Sequence, residues 1–148
     1  MRTLTSLAHG LDARRLTCRV IIETPRGFRR YVEETAIRST SWYWWMPCPV
    51  GCLIDVRLIG VIAAEQTERG RKQRNDRLLS VAIHSYQHER VTSISEISKA
   101  LLSQIAEFFI SYDRQRGKKF EVRALAGPKK ALSLLQAGIR AHRQDQLN

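Results

Sequence analysis

Apolar and polar positions alternate most clearly over residues 51–63. There Leu53, Asp55 and Arg57 fall on one side of an extended chain, and Ile54, Val56 and Leu58 on the other, because successive strand side chains point to opposite faces. Gly60 interrupts this strand and predicts a bulge or a sharp bend. Upstream, residues 17–23 carry Val20, Ile21 and Ile22 and read as a buried strand. Pro25 and Gly27 then mark a turn, from which residues 28–33 return as a second strand. Residues 1–16 have no firm period, and residues 34–50 are irregular, with Trp42, Tyr43, Trp44 and Trp45 crowded together. Such adjacent aromatics cannot all face one side of a strand, so they fit a subunit interface or a stacking surface. Residues 65–76 are polar around Gly70 and read as a long exposed loop; residues 77–83 read as a further strand, with Leu79, Val81 and Ile83 alternating.

The helical period appears over residues 93–112, where Ile94, Ile97, Leu101, Ile105, Phe108 and Tyr112 recur at spacings that share one face. Ser93 and Glu96 form a capping-box pattern at its start. Gly117 ends this unit, residues 120–125 form a short strand, and Pro128 suits the first position of a last helix with Leu132, Leu135, Ile139 and His142 inside. Strands followed by segregated helices predict an α+β domain. A small Greek-key barrel of the OB type suits strands with a bulge and a bend.

The length of 148 residues fits one domain with a single core. The three cysteines make no disulfide framework, and Cys48 and Cys52 lack a second ligand pair for zinc. Reduced thiols, and the absence of an apolar run near the ~20 residues of a membrane span, lead to the expectation of a cytoplasmic protein with no membrane partner. The net charge of +11 changes the picture of partners. It favours polyanions: pyrophosphate, other phosphate-containing anions, nucleic acid or an acidic protein. Much of the excess sits in Arg69, Arg71, Lys72, Arg74 and Arg77, and in Lys118, Lys119, Lys129 and Lys130, which read as solvated surface.

Several strings resemble one family. Val20-Ile21-Ile22-Glu23-Thr24-Pro25-Arg26-Gly27, followed by Arg30-Tyr31, is similar to the opening strand of the soluble (family I) inorganic pyrophosphatases. Pro49-Val50-Gly51 and then Ile54-Asp55-Val56-Arg57-Leu58-Ile59-Gly60-Val61 resemble a later strand of that family. Asn75-Asp76-Arg77-Leu78-Leu79-Ser80-Val81 resembles the segment where an acidic pair and a lysine lead into a strand. Ile105-Ala106-Glu107-Phe108-Phe109-Ile110-Ser111-Tyr112 and Gly117-Lys118-Lys119-Phe120-Glu121-Val122 resemble a helix ending in a functional tyrosine and the strand after it. The resemblance spans residues 17–143 of a single domain taken as 1–148. It implies a five-stranded OB-like β-barrel with two flanking helices, Mg²⁺-dependent hydrolysis of diphosphate, and a homo-oligomer.

The sequence departs from the family at the metal positions. The Asp-Gly-Asp-Pro-x-x-Asp-like run is absent, and residues 34–48 hold only Glu34 as an acid. In the register set by Gly60-Val61 a metal aspartate falls on Gln66, beside Glu65. In the register set by Arg77 another falls on Asn75, beside Asp76. The family's Tyr-Lys pair becomes Tyr112-Asp113, which puts a repelling charge where a phosphate ligand stood. Mg²⁺ wants carboxylate oxygens, and amides carry no charge. The expectation is a shortened, degenerate member with catalysis lost or greatly reduced. An alternative is a non-catalytic OB-fold protein that binds phosphate-containing ligands or nucleic acid through its basic surface.

Within that frame Glu23 and Glu65 are the candidate metal ligands, Glu23 reading equally as a charged strand end. Arg30 and Arg77 are candidates for phosphate oxygens, or else solvated surface. Tyr112 is a candidate hydrogen-bond donor to phosphate, or else a packing residue. His84 and His88 read as loop or surface residues, and His9 and His142 have no visible partner.

Overall fold

The protein is described here from a computed structural model, which defines residues 11–21, 53–83 and 90–147. One long strand organises everything else. It is β2, Leu53–Glu68, and the four other strands among the described residues all pair with it antiparallel. Along one edge run β1 (Thr17–Ile21) and then β5 (Lys119–Ala126). Along the other run β4 (Arg77–Ala82) and then β3 (Arg71–Arg74). Two helices, α1 (Lys99–Gln115) and α2 (Pro128–Leu147), complete the α+β fold.

The sixteen-residue β2 serves four neighbours, and two irregularities interrupt its pairing, one in β2 itself and one in β5. Leu58 pairs with Ser80 and Gly60 with Leu79, which leaves Ile59 as a bulge residue. The extra residue changes which side chains face which way. Leu58 and Val61 join the core under α2 with Leu78 and Ala131, whereas Ile59 and Ile62 join the core under α1 with Leu79, Ile105, Phe109 and Phe120. Glycine is required at position 60 because a Cβ there would lie 2.7 Å from both the Ala126 carbonyl oxygen and Ile94 Cβ. The bulge expected from Gly60 is therefore present. A second shift, between Ala63 and Ala64, leaves Arg123 of β5 without a direct partner.

Three sequence expectations are corrected. Residues 65–76 are not a long loop: β2 continues to Glu68, turns at Arg69–Gly70 and returns as β3. Arg69 (φ +49°) and Gly70 (φ +76°) give the two positive φ angles of a tight type I′ hairpin. The polarity of the segment hid the hairpin, because β3 is exposed along its whole length and carries no apolar alternation. Likewise β4 does not alternate; all six residues are buried, since both faces are covered.

The helix expected from Ser93 is broken at its start. Ser93 caps a single 3-10 turn, Ile94–Glu96, and α1 begins after a second cap, Ser98, whose hydroxyl accepts from the Leu101 N–H at 3.2 Å. Glu96 reaches back to the hydroxyl and N–H of Thr92, and these two bonds, with a smaller contribution from the Ser93 backbone, hold its carboxyl below the usual range. The inner stripe of α1 is consequently Ile105, Phe109 and Asp113, with Phe108 and Tyr112 only half-buried. Gly117 ends the unit at φ +71°, and β5 and α2 lie where the sequence placed them. No helix among the described residues is long and apolar enough to cross a membrane.

Candidate functional site

Four polar side chains lie inside the α1 face of the sheet. Gln66 and Asn75 are each 1% exposed, and Arg77 and Asp113 each 3%. The hairpin is what brings them together. Gln66 sits opposite Phe120 of β5, on the side of β2 that carries Ile62 and Ala64. The chain returning from β3 is pinned by the Asn75 N–H, which donates to the Ala64 carbonyl at 2.9 Å. Asn75 then points inward, and its Nδ2 donates to Gln66 Oε1 at 2.5 Å. The two positions where the resemblance expects metal aspartates are thus joined directly to each other.

Arg77 opens β4 opposite Ile62. Its guanidinium carbon lies 4.7 Å from the centroid of the Phe109 ring and 5.4 Å from that of Phe120, cation–π distances in a water-poor setting. The expectation of a solvated Arg77 is therefore corrected: its neighbours on the strand are buried and carry it inside. Asp113 follows Phe109 by one helical turn and shares its face. Opposite charges thus approach the interior from β4 and from α1.

Tyr112 is half-buried, with its ring 5.9 Å from that of Phe108. Its hydroxyl accepts from Arg116 Nη1 at 2.7 Å, so both packing and a polar contact are realised. Glu65 lies on the opposite face of β2 from Gln66, as neighbours in a strand must. It stands directly across from Glu121, and Arg123 bridges the two carboxylates, at 2.6 Å from Glu65 Oε2 and 3.4 Å from Glu121 Oε2. The Glu65 carboxylate raises the Arg123 pKa, while the Lys119 ammonium holds the Glu121 carboxyl below its ordinary range. Asp76 accepts the Ala64 N–H at 3.1 Å and pairs with Arg74 Nε at 2.7 Å. Glu23 and Arg30 lie outside the described residues, as do Trp42, Trp44, Trp45, His84 and His88.

The register of the resemblance singles out Gln66 and Asn75 as replacements for metal aspartates, and its Tyr-Lys pair singles out Asp113. Sequence reasoning missed Arg123 and Phe109. Arg123 is placed by a bulge in β5, which no residue type announces. Phe109 was displaced from the expected stripe by the wrong helix start.

A divalent cation of the hard, oxygen-seeking kind needs several carboxylates arranged around one point. Among the described residues there is no group of three or more acids, histidines or cysteines that could hold a metal ion. Gln66 and Asn75 offer neutral amides bonded to each other, and the carboxylates next to them in the chain, Glu65 and Asp76, are engaged by Arg123 and Arg74. These side chains do not fit Mg²⁺.

A family model described as inorganic pyrophosphatase matches residues 43–143. The inorganic pyrophosphatase of Geobacillus stearothermophilus is 28% identical over 96 residues, which cover 65% of this chain and 56% of that protein. The chain therefore spans little more than half the length of that relative. Among solved structures, the inorganic pyrophosphatase of Thermus thermophilus superposes with a TM-score of 0.67 at 17% identity, over 89% of this chain and 94% of that one. An inorganic phosphatase of Anaplasma phagocytophilum gives 0.68 at 17%, over 90% and 98%. At such identities the structures establish the fold, and they agree with the α+β arrangement built around β2. With the family model matching most of the chain, this protein belongs to the inorganic pyrophosphatase family.

Proposed function

We propose that this chain is a pyrophosphatase-family protein in which Mg²⁺-dependent hydrolysis of diphosphate has been lost or greatly reduced. The observation that carries the reading is the buried Gln66–Asn75 amide pair, at two positions where the resemblance expects metal aspartates. Attack on a phosphoryl group at neutral pH requires a hydroxide, which metal ions supply by lowering the pKa of bound water, and they also neutralise the charge that develops. Such stabilisation amounts to several kcal/mol, and each ~1.4 kcal/mol is a factor of ten in rate.

The other residues support the same reading. The Arg77 guanidinium lies over two aromatic rings, and Asp113 adds a negative charge on the same side. Tyr112 with Arg116 is the pair best placed to meet a phosphate-containing anion from outside, since Arg116 is exposed. The homo-oligomer and the cytoplasmic location expected from the sequence remain part of this proposal.

Metal titration followed by thermal unfolding tests it. The wild-type protein is expected to show no shift in Tm with Mg²⁺ or Mn²⁺. The Gln66→Asp/Asn75→Asp variant should be destabilised in the absence of metal, and partly restored by it, because a ligand that binds only the folded state stabilises by mass action. A saturable wild-type shift that the double substitution leaves unchanged would overturn the proposal.

A further inference from the structure

The tip of the β2–β3 hairpin carries three cations that form no salt bridge among the described residues: Arg69, Arg71 and Lys72. All three are exposed. Their placement is not what hairpin formation would choose. Both central positions of a type I′ turn need positive φ, which favours Asn, Asp or Gly. Gly70 meets that need, but Arg69 adopts φ +49°, a conformation uncommon for a long side chain. Backbone strain of this kind points from the residue toward a function. Here it keeps a guanidinium at the outermost point of the ribbon.

Charges of both signs stand near the tip: Glu68 pairs with Lys118 at 3.3 Å, and Lys72, after Lys119 and Arg123, helps to hold the Glu121 carboxyl below its ordinary range. Lys72 lies opposite Thr67 on one face of the ribbon, and Arg71 lies opposite Glu68 on the other. Beside the Arg71 face is an open depression of about 530 Å³ lined by Glu68, Arg69, Arg71 and Gln73. From residue 68 to residue 74 the chain has no apolar side chain larger than glycine. A protein partner would need an apolar anchor to build a stable interface. A phosphate backbone needs none, because counterion release drives its binding, and a guanidinium fork matches phosphate oxygens.

We infer that Arg69, Arg71 and Lys72, at the β2–β3 tip, contact the phosphodiester backbone of nucleic acid. This inference rests on the hairpin and holds whether or not the family's reaction survives.

The experiment is fluorescence anisotropy of the full chain with a labelled oligonucleotide, single-stranded or duplex, at ~50 and ~200 mM salt. Arg69→Gly suits the turn and should leave Tm unchanged or higher, while weakening binding about threefold at low salt. Arg69→Gly/Arg71→Gln/Lys72→Gln should weaken it roughly thirtyfold and flatten the log–log salt slope by about two to three. Lys129→Gln/Lys130→Gln removes exposed charge from the start of α2 and should change affinity less than about twofold. Tighter binding of either oligonucleotide form supports the inference and identifies the form. Three results overturn it: no wild-type binding, equal losses from the hairpin and α2 variants, or equal competition by polyglutamate, which would assign the tip to an acidic protein.

Discussion

Replacing Gln66 by methionine keeps the side-chain length and nearly the volume while deleting the acceptor for Asn75 Nδ2. Both side chains are 1% exposed, so water does not take over the lost bond. Asn75 is then left with a buried, uncompensated amide donor, and its own Oδ1 already has no hydrogen-bond partner among the described residues. A stranded group of this kind costs about 1–3 kcal/mol. Asn75→Leu keeps the branched skeleton and takes the same donor away from the buried Gln66 Oε1, so it should cost a similar amount. The double variant replaces both partners by apolar groups, which is close to neutral when shape is preserved. The double-mutant cycle should therefore give a coupling of roughly 1–2 kcal/mol. Urea unfolding of the four proteins measures it, from midpoints at constant slope. Additivity within about 0.3 kcal/mol would mean that the two amides do not act as a unit. It would refute the reasoning that they close the site upon themselves.

Gly60→Ala should destabilise by about 1–3 kcal/mol, since the new Cβ meets backbone at Ala126 and the Ile94 side chain, and it should lower the urea midpoint. Arg77→Lys restores the family's residue type, yet it is expected to lose about 1–2 kcal/mol, because an ammonium cannot spread over two rings as a guanidinium does. An unchanged midpoint would remove the aromatic contacts from the account. Cys18 is buried and its thiol is pushed up from 9.0 to about 11, chiefly by burial and secondly by Asp55. The unfolded thiol ionises first, so stability should fall as pH rises from about 9 toward 11, by no more than about 3 kcal/mol. Cys18→Ala should lack that component of the alkaline loss, and identical pH profiles for the two proteins would contradict it.

The parts of the fold that could be read in advance were those where burial leaves a pattern in residue types. Leu53 to Leu58 alternates because β2 there is covered mainly on one face, and Gly60 marked its bulge because only glycine fits against Ala126 and Ile94. The β2–β3 hairpin was illegible because its outer strand is wholly exposed and its turn uses Arg69 in place of the usual asparagine. The start of α1 misled for a different reason. Ser93 and Ser98 are both genuine caps, and the sequence does not say that the first serves only a 3-10 turn.

The candidate site was legible by register alone. Counting from Gly60-Val61 and from Arg77 set Gln66 and Asn75 where the resemblance expects metal ligands, but nothing in the residue types showed that the two would bond to each other. Nor did it show that Arg77, in a run of cations, would turn inward. That outcome depends on Phe109 and Phe120, which come from α1 and β5 and lie more than thirty residues away in the chain. The exposed arginines of the hairpin and the buried one beside them are the same residue type in the same polar stretch, separated only by which side of β4 and β3 receives cover.

The central claim is that a pyrophosphatase fold here carries amides where its reaction needs charged ligands. Phosphate release from Mg²⁺-pyrophosphate by the purified protein, measured beside Glu23→Gln, tests it most directly. The account predicts no release above that of the variant. Clear turnover that disappears on Glu23→Gln would contradict it, and would mean that the reaction survives on other ligands.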